Sequence, residues 1–200
     1  NQMPLHYLNP SFSFILASAS PRRRELLAQT GIQFLVQKID IDESYKPDCS
    51  PEEIVMDLSC RKARYASSVL KENDNQIIIT ADTIVWHQNK VLNKPIDREE
   101  AIQMLQSLSG RSHSVFTGVC LKSPQKEHSF FAETKVSFYE LEPETINYYV
   151  DKYKPYDKAG AYGIQEWIGL IGAKSIEGCF FNVVGLPVPK LILELNNFLE

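Results

Sequence analysis

At 200 residues, with 44% hydrophobic and 23% charged side chains, the chain suits one or two domains with a sizeable core and has an ordinary globular composition. A formal net charge of -4 argues against a general nucleic-acid binder, and no apolar run approaches the roughly 20 residues of a membrane span. Cysteines 49, 60, 120 and 179 form no C-x-x-C pair and no basic region precedes the first apolar run, which speaks against a zinc site and a signal peptide and for reduced thiols in a cytoplasmic protein.

In chain order, FSFILA (Phe12–Ala17) predicts a buried strand. In the following SASPRRRELLAQTG, Ser20 reads as a helix N-cap, Pro21 as the first helical residue and Gly31 as the stop. IQFLVQKI predicts a second strand and DIDESYKPDCS an acidic loop. Ser50-Pro51-Glu52-Glu53 is a capping box that opens a long helix to about Lys71. NQIIITAD, rich in β-branched residues, predicts a buried strand that Asp82 and Thr83 terminate. TIVWHQNKVL predicts a hairpin turning near Gln88-Asn89, and Asp97 with Glu100 caps a helix that Gly110 closes. SHSVFTGVCLKS and EHSFFAETKVSFYEL predict two long strands joined by PQK, and PETINYYVDKY a helix. The glycine-dotted stretch 157–187 predicts short strands and turns, and PKLILELNNFL a closing amphipathic helix. No repeat, low-complexity linker or composition break divides the chain. Strand–helix units mixed with consecutive long strands predict an α/β or α+β fold with a mixed sheet, in one domain.

Several common signatures are missing. There is no G-x-x-x-x-G-K-[ST] loop, no G-x-G-x-x-G after a strand and no G-x-S-x-G elbow. Histidines 6, 87, 113 and 128 have no H-x-x-x-H pairing and read as surface or hydrogen-bonded residues.

What remains points to phosphate. Arg22, Arg23 and Arg24 fall in a first helical turn, the positive end of the dipole, where each cation costs roughly 0.3–1 kcal/mol at an exposed site. Free N–H groups there, arginine forks and the hydroxyls of Ser18 and Ser20 together suit a polyphosphate. The alternative is a solvated basic end paired with Glu25 or the acidic loop. Arg24, about 100° further round the helix than Arg23, reads as solvated. Asp82, after a hydrophobic strand, can hold a divalent cation or take a proton from water; it can equally be a turn aspartate. Glu43, with Asp40 and Asp42, offers oxygen ligands from a second segment or a solvated surface. Of Lys62, Lys94 and Lys158, Lys94 before Pro95 lies on the most restrained segment. In DKAGAYGIQ, Tyr162 can stack on a base or fill a core, and Gln165 can read a base edge.

Taken in order, ILASASPRRRELL, ADTIV, KP, LSGRSHSVFTGV, DKAGAYGIQ and IEGCFFNVVGLP resemble the Maf family of nucleotide pyrophosphatases, over about Phe14 to Pro187. The resemblance implies a single Maf-like domain over residues 1–200: an ITPase-like α/β fold whose mixed, elongated, twisted sheet is flanked by helices, with two lobes around a substrate cleft. It implies attack at the α-phosphorus of a nucleoside triphosphate, giving monophosphate and pyrophosphate, with a divalent cation (Mg²⁺, Mn²⁺ or Co²⁺). The family's proton acceptor falls on Asp82, and its specificity positions on Arg22, Thr83 and Gln165. Ser18, Ser20, Arg22, Arg23, Lys62, Thr83, Lys94 and Gln165 then bind substrate, while Asp82 and Glu43 hold the metal. DKAGAYGIQ looks like the branch acting on dTTP and UTP; the 7-methyl-GTP branch commonly carries an acidic residue in place of the glutamine. One departure bears on base preference: that branch usually continues GIQG, whereas Glu166 and Trp167 follow Gln165 here. The expected partner is the triphosphate, with no nucleic acid and no membrane, and a homodimer is allowed for. The alternatives are a pyrophosphatase for another non-standard nucleotide such as 7-methyl-GTP, a nucleotide-binding regulator without turnover, and a phosphatase releasing orthophosphate stepwise.

Overall fold

A computed structural model describes residues 5–70 and 74–200. Strands β1 (Ser13–Ala17), β2 (Phe34–Gln37), β3 (Gln76–His87), β4 (Lys90–Leu92), β5 (Ser112–Lys122), β6 (Glu127–Phe138) and β7 (Ala173–Glu177) form one mixed sheet of order β2-β1-β3-β5-β6-β7, with β4 paired to β3. The helices are α1 (Pro21–Ala28), α2 (Pro51–Val69), α3 (Arg98–Leu108), α4 (Pro143–Tyr153), α5 (Trp167–Gly172), α6 (Phe180–Val184) and α7 (Val188–Leu199). The mixed α/β fold expected from the order of elements is the fold observed. The chain divides into two compact units. One comprises Asn1–Asp82, Thr117–Ala132 and Gly185–Glu200; the other comprises Thr83–Phe116 and Glu133–Val184.

In the first unit β1 runs parallel to both β2 and β3, pairing Phe14 with Phe34 and Ile77 and Leu16 with Val36 and Ile79. A strand flanked on both sides and covered on both faces is apolar throughout, and Phe14, Ile15, Leu16 and Ala17 are all buried. Helix α2 begins with the expected capping box: Glu53 N donates to Ser50 Oγ (3.2 Å) and Ser50 N to Glu53 Oε2 (2.8 Å). Ile54, Val55, Leu58, Ala63 and Ala66 form its buried stripe. The helix runs to Val69; its expected end near Lys71 lies outside the described residues. It lies hard against β5 at Gly118, where a Cβ would stand 2.2 Å from the Val55 carbonyl oxygen. Tyr7 N donates to Asn196 Oδ1 of α7 (3.1 Å), so segments 189 residues apart in sequence meet in this unit.

One expectation needs correction here. Asp82 and Thr83 do not terminate their strand, because β3 continues through Ile84, Val85 and Trp86 to His87. Those β-branched and aromatic residues favour extended backbone, and no glycine or proline interrupts them.

In the second unit the hairpin forms as expected, with Val85 opposite Leu92 and His87 opposite Lys90. Gln88 (φ 50°) and Asn89 (φ 59°) both take left-handed backbone, as a two-residue turn matched to strand twist requires. Asp97 caps α3 by accepting from Glu100 N (2.8 Å). The stretch after Gln165 contains α5 and α6 as well as β7 and turns, more helix than its glycines suggested. Leu105, Leu108, Val115, Val136, Tyr149 and Ile168 are central to the core of this unit.

Tyr162 belongs to that core. Its ring packs edge-on against Phe138 and His113, and its hydroxyl lies 2.6 Å from His113 Nε2, so the core alternative holds for Tyr162. Burial, and secondarily His87, drives the His113 imidazole down to about 3. The unfolded chain therefore takes up a proton near pH 6.5 that the folded chain refuses. Stability is full above that pH and falls by up to about 1.4 kcal/mol per pH unit below it. Urea midpoints at pH 7 and pH 5 test this: the wild-type midpoint should drop on acidification, and His113→Gln should flatten the dependence. An equal drop in both proteins would remove His113 as the cause.

Candidate active site

In the first unit, α2 and β3 bring a buried carboxylate and a lysine together. Successive same-face residues of a strand are two apart, and those of a helix three or four apart. Thr80 and Asp82 thus meet Ser59 and Lys62: Thr80 Oγ1 donates to the Ser59 carbonyl (2.7 Å), and Lys62 Nζ donates to Asp82 Oδ1 (2.6 Å). The same ammonium lies 2.7 Å from Glu43 Oε1. The side chains of Asp82 and Lys62 are only 10% and 13% exposed, whereas that of Glu43 is 51% exposed. A carboxylate buried to this degree needs a charged partner, and Lys62 is that partner.

Glu43 reaches the lysine because its loop is held from α2. Arg61 Nη1 donates to the Asp42 carbonyl (2.8 Å) and Nη2 to the Ser44 carbonyl. Asp57 in turn fixes Arg61 Nε (2.9 Å), one helical turn back. Asp42 is occupied by Ser44, whose Oγ and N both donate to it, and these bonds hold its carboxyl below the usual range. Of the acidic loop, then, only Glu43 is aimed at Lys62. Arg61 is a positioning residue not singled out from the sequence; its spacing from Asp57 was the available signal.

The arginine turn forms as expected. Ser20 caps α1 by accepting from Arg23 N (3.4 Å), and Ser18 Oγ, buried, accepts from Ser20 N (3.1 Å). Arg23 Nε donates to the Gly185 carbonyl (2.8 Å), which steers its guanidinium. Burial lowers the Arg23 pKa from its usual value; the charge of Asp82 opposes the shift, that of Arg22 adds to it, and that of Glu43 opposes it. Arg22, Arg23, Asp82 and Glu43 thus share one electrostatic environment, with Lys62 among the carboxylates. Arg24 is exposed, as expected.

Asp82 and Glu43 also pass a chemical test for a divalent cation. Both present hard oxygen donors from separate segments, and both already converge on one cationic atom, Lys62 Nζ. Among the described residues, another convergence of ligand-type atoms is Cys60, Cys120 and Glu127, within 4.8 Å of one another. Its sulfur donors suit a different chemistry from the oxygen pair.

Thr83, Lys94 and Gln165 belong to the second unit. Thr83 is half-buried in β3, while Lys94 and Gln165 are exposed. The segments bearing the last two are tied together: Gly160 N donates to the Asn93 carbonyl (3.2 Å), and a Cβ on Gly160 would crowd Val85 at 2.9 Å. Glu166 is structurally engaged. Its Oε2 accepts from the Tyr149 hydroxyl (2.5 Å), which itself accepts from Gly163 N (3.1 Å), and its Oε1 lies 3.1 Å from Lys158 Nζ. Burial, then the bond to Glu166, raises the Tyr149 hydroxyl's pKa. Where the family pattern has a flexible glycine, this chain braces the loop beside Gln165 with a carboxylate.

A family model described as Maf-like protein matches residues 13–198. A protein named dTTP/UTP pyrophosphatase from Bacteroides thetaiotaomicron is 52% identical over 185 residues, 92% of this chain and 95% of that protein. Proteins of the same name from Parabacteroides distasonis and Flavobacterium johnsoniae are 50% and 45% identical, over 94% and 90% of this chain and 96% and 92% of their own lengths. Among solved structures, that of the Staphylococcus aureus Ham1 protein superimposes with a TM-score of 0.52 at 14% identity, covering 93% of this chain and 99% of its own, a likeness of fold. Among the described residues no helix is long and apolar enough to cross a membrane.

Proposed function

The chain belongs to the Maf family, and from that premise we propose that it is a pyrophosphatase converting dTTP and UTP to the monophosphate and pyrophosphate. The observation that carries the reading is the buried Asp82 carboxylate, paired with Lys62 and sharing its surroundings with two arginines and Glu43. The assembly suits hydrolysis of a phosphoanhydride, in which charge stabilisation and positioning do most of the chemistry and no covalent nucleophile is needed. Asp82 accepts the proton of the attacking water. Arg22 and Arg23, with the hydroxyls of Ser18 and Ser20, take the phosphates, and Lys94 adds a further cation. Lys62, donated to both carboxylates in the free protein, keeps Asp82 oriented and can contact phosphate oxygens when substrate arrives. Asp82 and Glu43 would hold a divalent cation (Mg²⁺, Mn²⁺ or Co²⁺), which supplies polarisation of the phosphoryl oxygens.

Base recognition is assigned to Gln165, whose amide offers paired donor and acceptor, with Thr83 and Arg22 at the other specificity positions. The chain acts as a single Maf domain on a free nucleotide in the cytoplasm. The test is a panel of normal and modified nucleoside triphosphates, including 7-methyl-GTP, with each metal. Pyrophosphate and monophosphate are expected in equal amounts, with dTTP and UTP among the best substrates. Early orthophosphate would instead mark a stepwise phosphatase. Gln165→Ala should lower kcat/KM for dTTP and UTP by about tenfold to a hundredfold and poor substrates far less. A uniform fall across the panel would remove Gln165 from base reading.

A further inference from the structure

Cys60 on α2 and Cys120 on β5 bury their sulfurs against each other in a small cluster with Ala63. With a Glu127 carboxylate oxygen, the two sulfurs lie within 4.8 Å of one another. Glu127 is already engaged: Arg64 Nη2 donates to its Oε1 (2.6 Å) and Lys122 Nζ lies 3.4 Å from its Oε2. Two cations on the one carboxylate leave it poorly placed to serve a metal, so the thiols themselves are the reactive element of the cluster. They are unequal. Cys60 is 9% exposed and Cys120 fully enclosed, so a small oxidant meets Cys60 first. The Cys120 thiol hydrogen-bonds to Cys60 and, with the Ser129 hydroxyl, favours its thiolate against the opposing effect of burial.

We propose that Cys60 and Cys120 are a peroxide-sensitive thiol pair whose disulfide ties α2 to β5 and turns the adjoining site down. The Cys60 thiolate attacks one oxygen of hydrogen peroxide; the O–O bond breaks, and the departing hydroxide takes up a proton to become water. The Cys120 sulfur then attacks the resulting sulfenic acid. The S–O bond breaks, hydroxide leaves with the Cys120 proton as a second water, and the S–S bond forms. Two thiols are oxidised as one peroxide is reduced to two waters. The bond requires the sulfurs to close to about 2.05 Å, and α2, already seated against β5 at Gly118, must turn about that contact to let them meet. Ser59, bonded to Thr80, and Lys62, bonded to Asp82, flank Cys60 on that helix and move with it. Displacements of this size cost about a hundredfold in rate where reacting groups must be aligned.

The effect on turnover rests on the proposed pyrophosphatase reading; the disulfide does not. The full chain is treated with hydrogen peroxide, digested under non-reducing conditions and mapped by mass spectrometry, with pyrophosphate release measured before and after. A Cys60–Cys120 peptide pair lighter by two hydrogens is expected. So is a fall in turnover of about tenfold or more that a thiol reductant reverses. In Cys120→Ser the reaction should stop at a Cys60 sulfenic acid trapped by a diketone reagent, and Cys60→Ser should keep full turnover under peroxide. Absence of the cross-link in the wild-type protein overturns the proposal, as does a cross-link that leaves turnover unchanged. A stoichiometric zinc ion in the purified protein, released only when the thiols are modified, overturns it in favour of a metal site. Reduced protein that never releases pyrophosphate defeats the functional reading while leaving the cross-link measurement to stand by itself.

Discussion

Pyrophosphate release from dTTP is expected to fall by at least about a hundredfold in Asp82→Asn, with the fold intact. The substitution keeps the shape and polarity of the side chain but removes the group that would receive a proton. The amide oxygen can still accept from Lys62, so the 2.6 Å contact has a neutral counterpart and β3 need not shift. What is lost is the charge: a divalent cation held as proposed would lose a carboxylate ligand, and Lys62 is left with Glu43 as its anionic partner on the exposed side of the site. The measurement is turnover at saturating substrate, paired with an unfolding midpoint close to wild type. Turnover within tenfold of wild type, in protein of normal stability, would take Asp82 out of catalysis. It would favour the regulator that binds nucleotide without cleaving it.

Gly118→Ala should carry a large stability cost for a single added methyl. Its new carbon would sit 2.2 Å from the Val55 carbonyl oxygen, 2.4 Å from the Val55 carbonyl carbon and 2.8 Å from Met56 N. All three are backbone atoms in the first turns of α2, so no rotamer change relieves the clash. Helix or strand must move, at a cost of at least about 3 kcal/mol. The readout is the urea midpoint at unchanged m-value, and a loss under about 1 kcal/mol would mean that the two elements are less tightly seated. Because α2 carries Lys62, activity should fall in the surviving folded protein as well.

Local chemistry made much of the molecule legible from residues alone. Ser20, Ser50 and Asp97 each cap the helix assigned to them, because a cap is decided by three or four consecutive residues. The arginine turn, the Gln88-Asn89 hairpin and the long strands β5 and β6 are similarly local. The misreading at Asp82 had a different origin. A charged residue in an apolar strand looks like an end unless its partner is known, and Lys62 is twenty positions earlier on a helix. The same distance hid the role of Arg61 in aiming Glu43. It also hid the approach of Cys60 to Cys120, which no spacing motif announces. Glu166 was visible as a departure, yet its bonds to Tyr149 and Lys158 depend on α4 and the glycine loop meeting in three dimensions.

The segment pattern of the first unit has a bearing on how the protein is made. Its earliest residues leave the ribosome long before α7, yet Tyr7 bonds to Asn196 and the unit takes in Gly185–Glu200. The whole of the second unit, Thr83–Phe116 and Glu133–Val184, is synthesised in between. The unit begun first is therefore closed only after the second has been made, and Arg23 is fastened to the Gly185 carbonyl only once that late segment has emerged. Contacts spanning so much sequence slow folding and leave Tyr7 and Arg23 awaiting their last partners. A nascent chain halted before Gly185 would carry the arginine turn and Asp82 without the segment that steers Arg23.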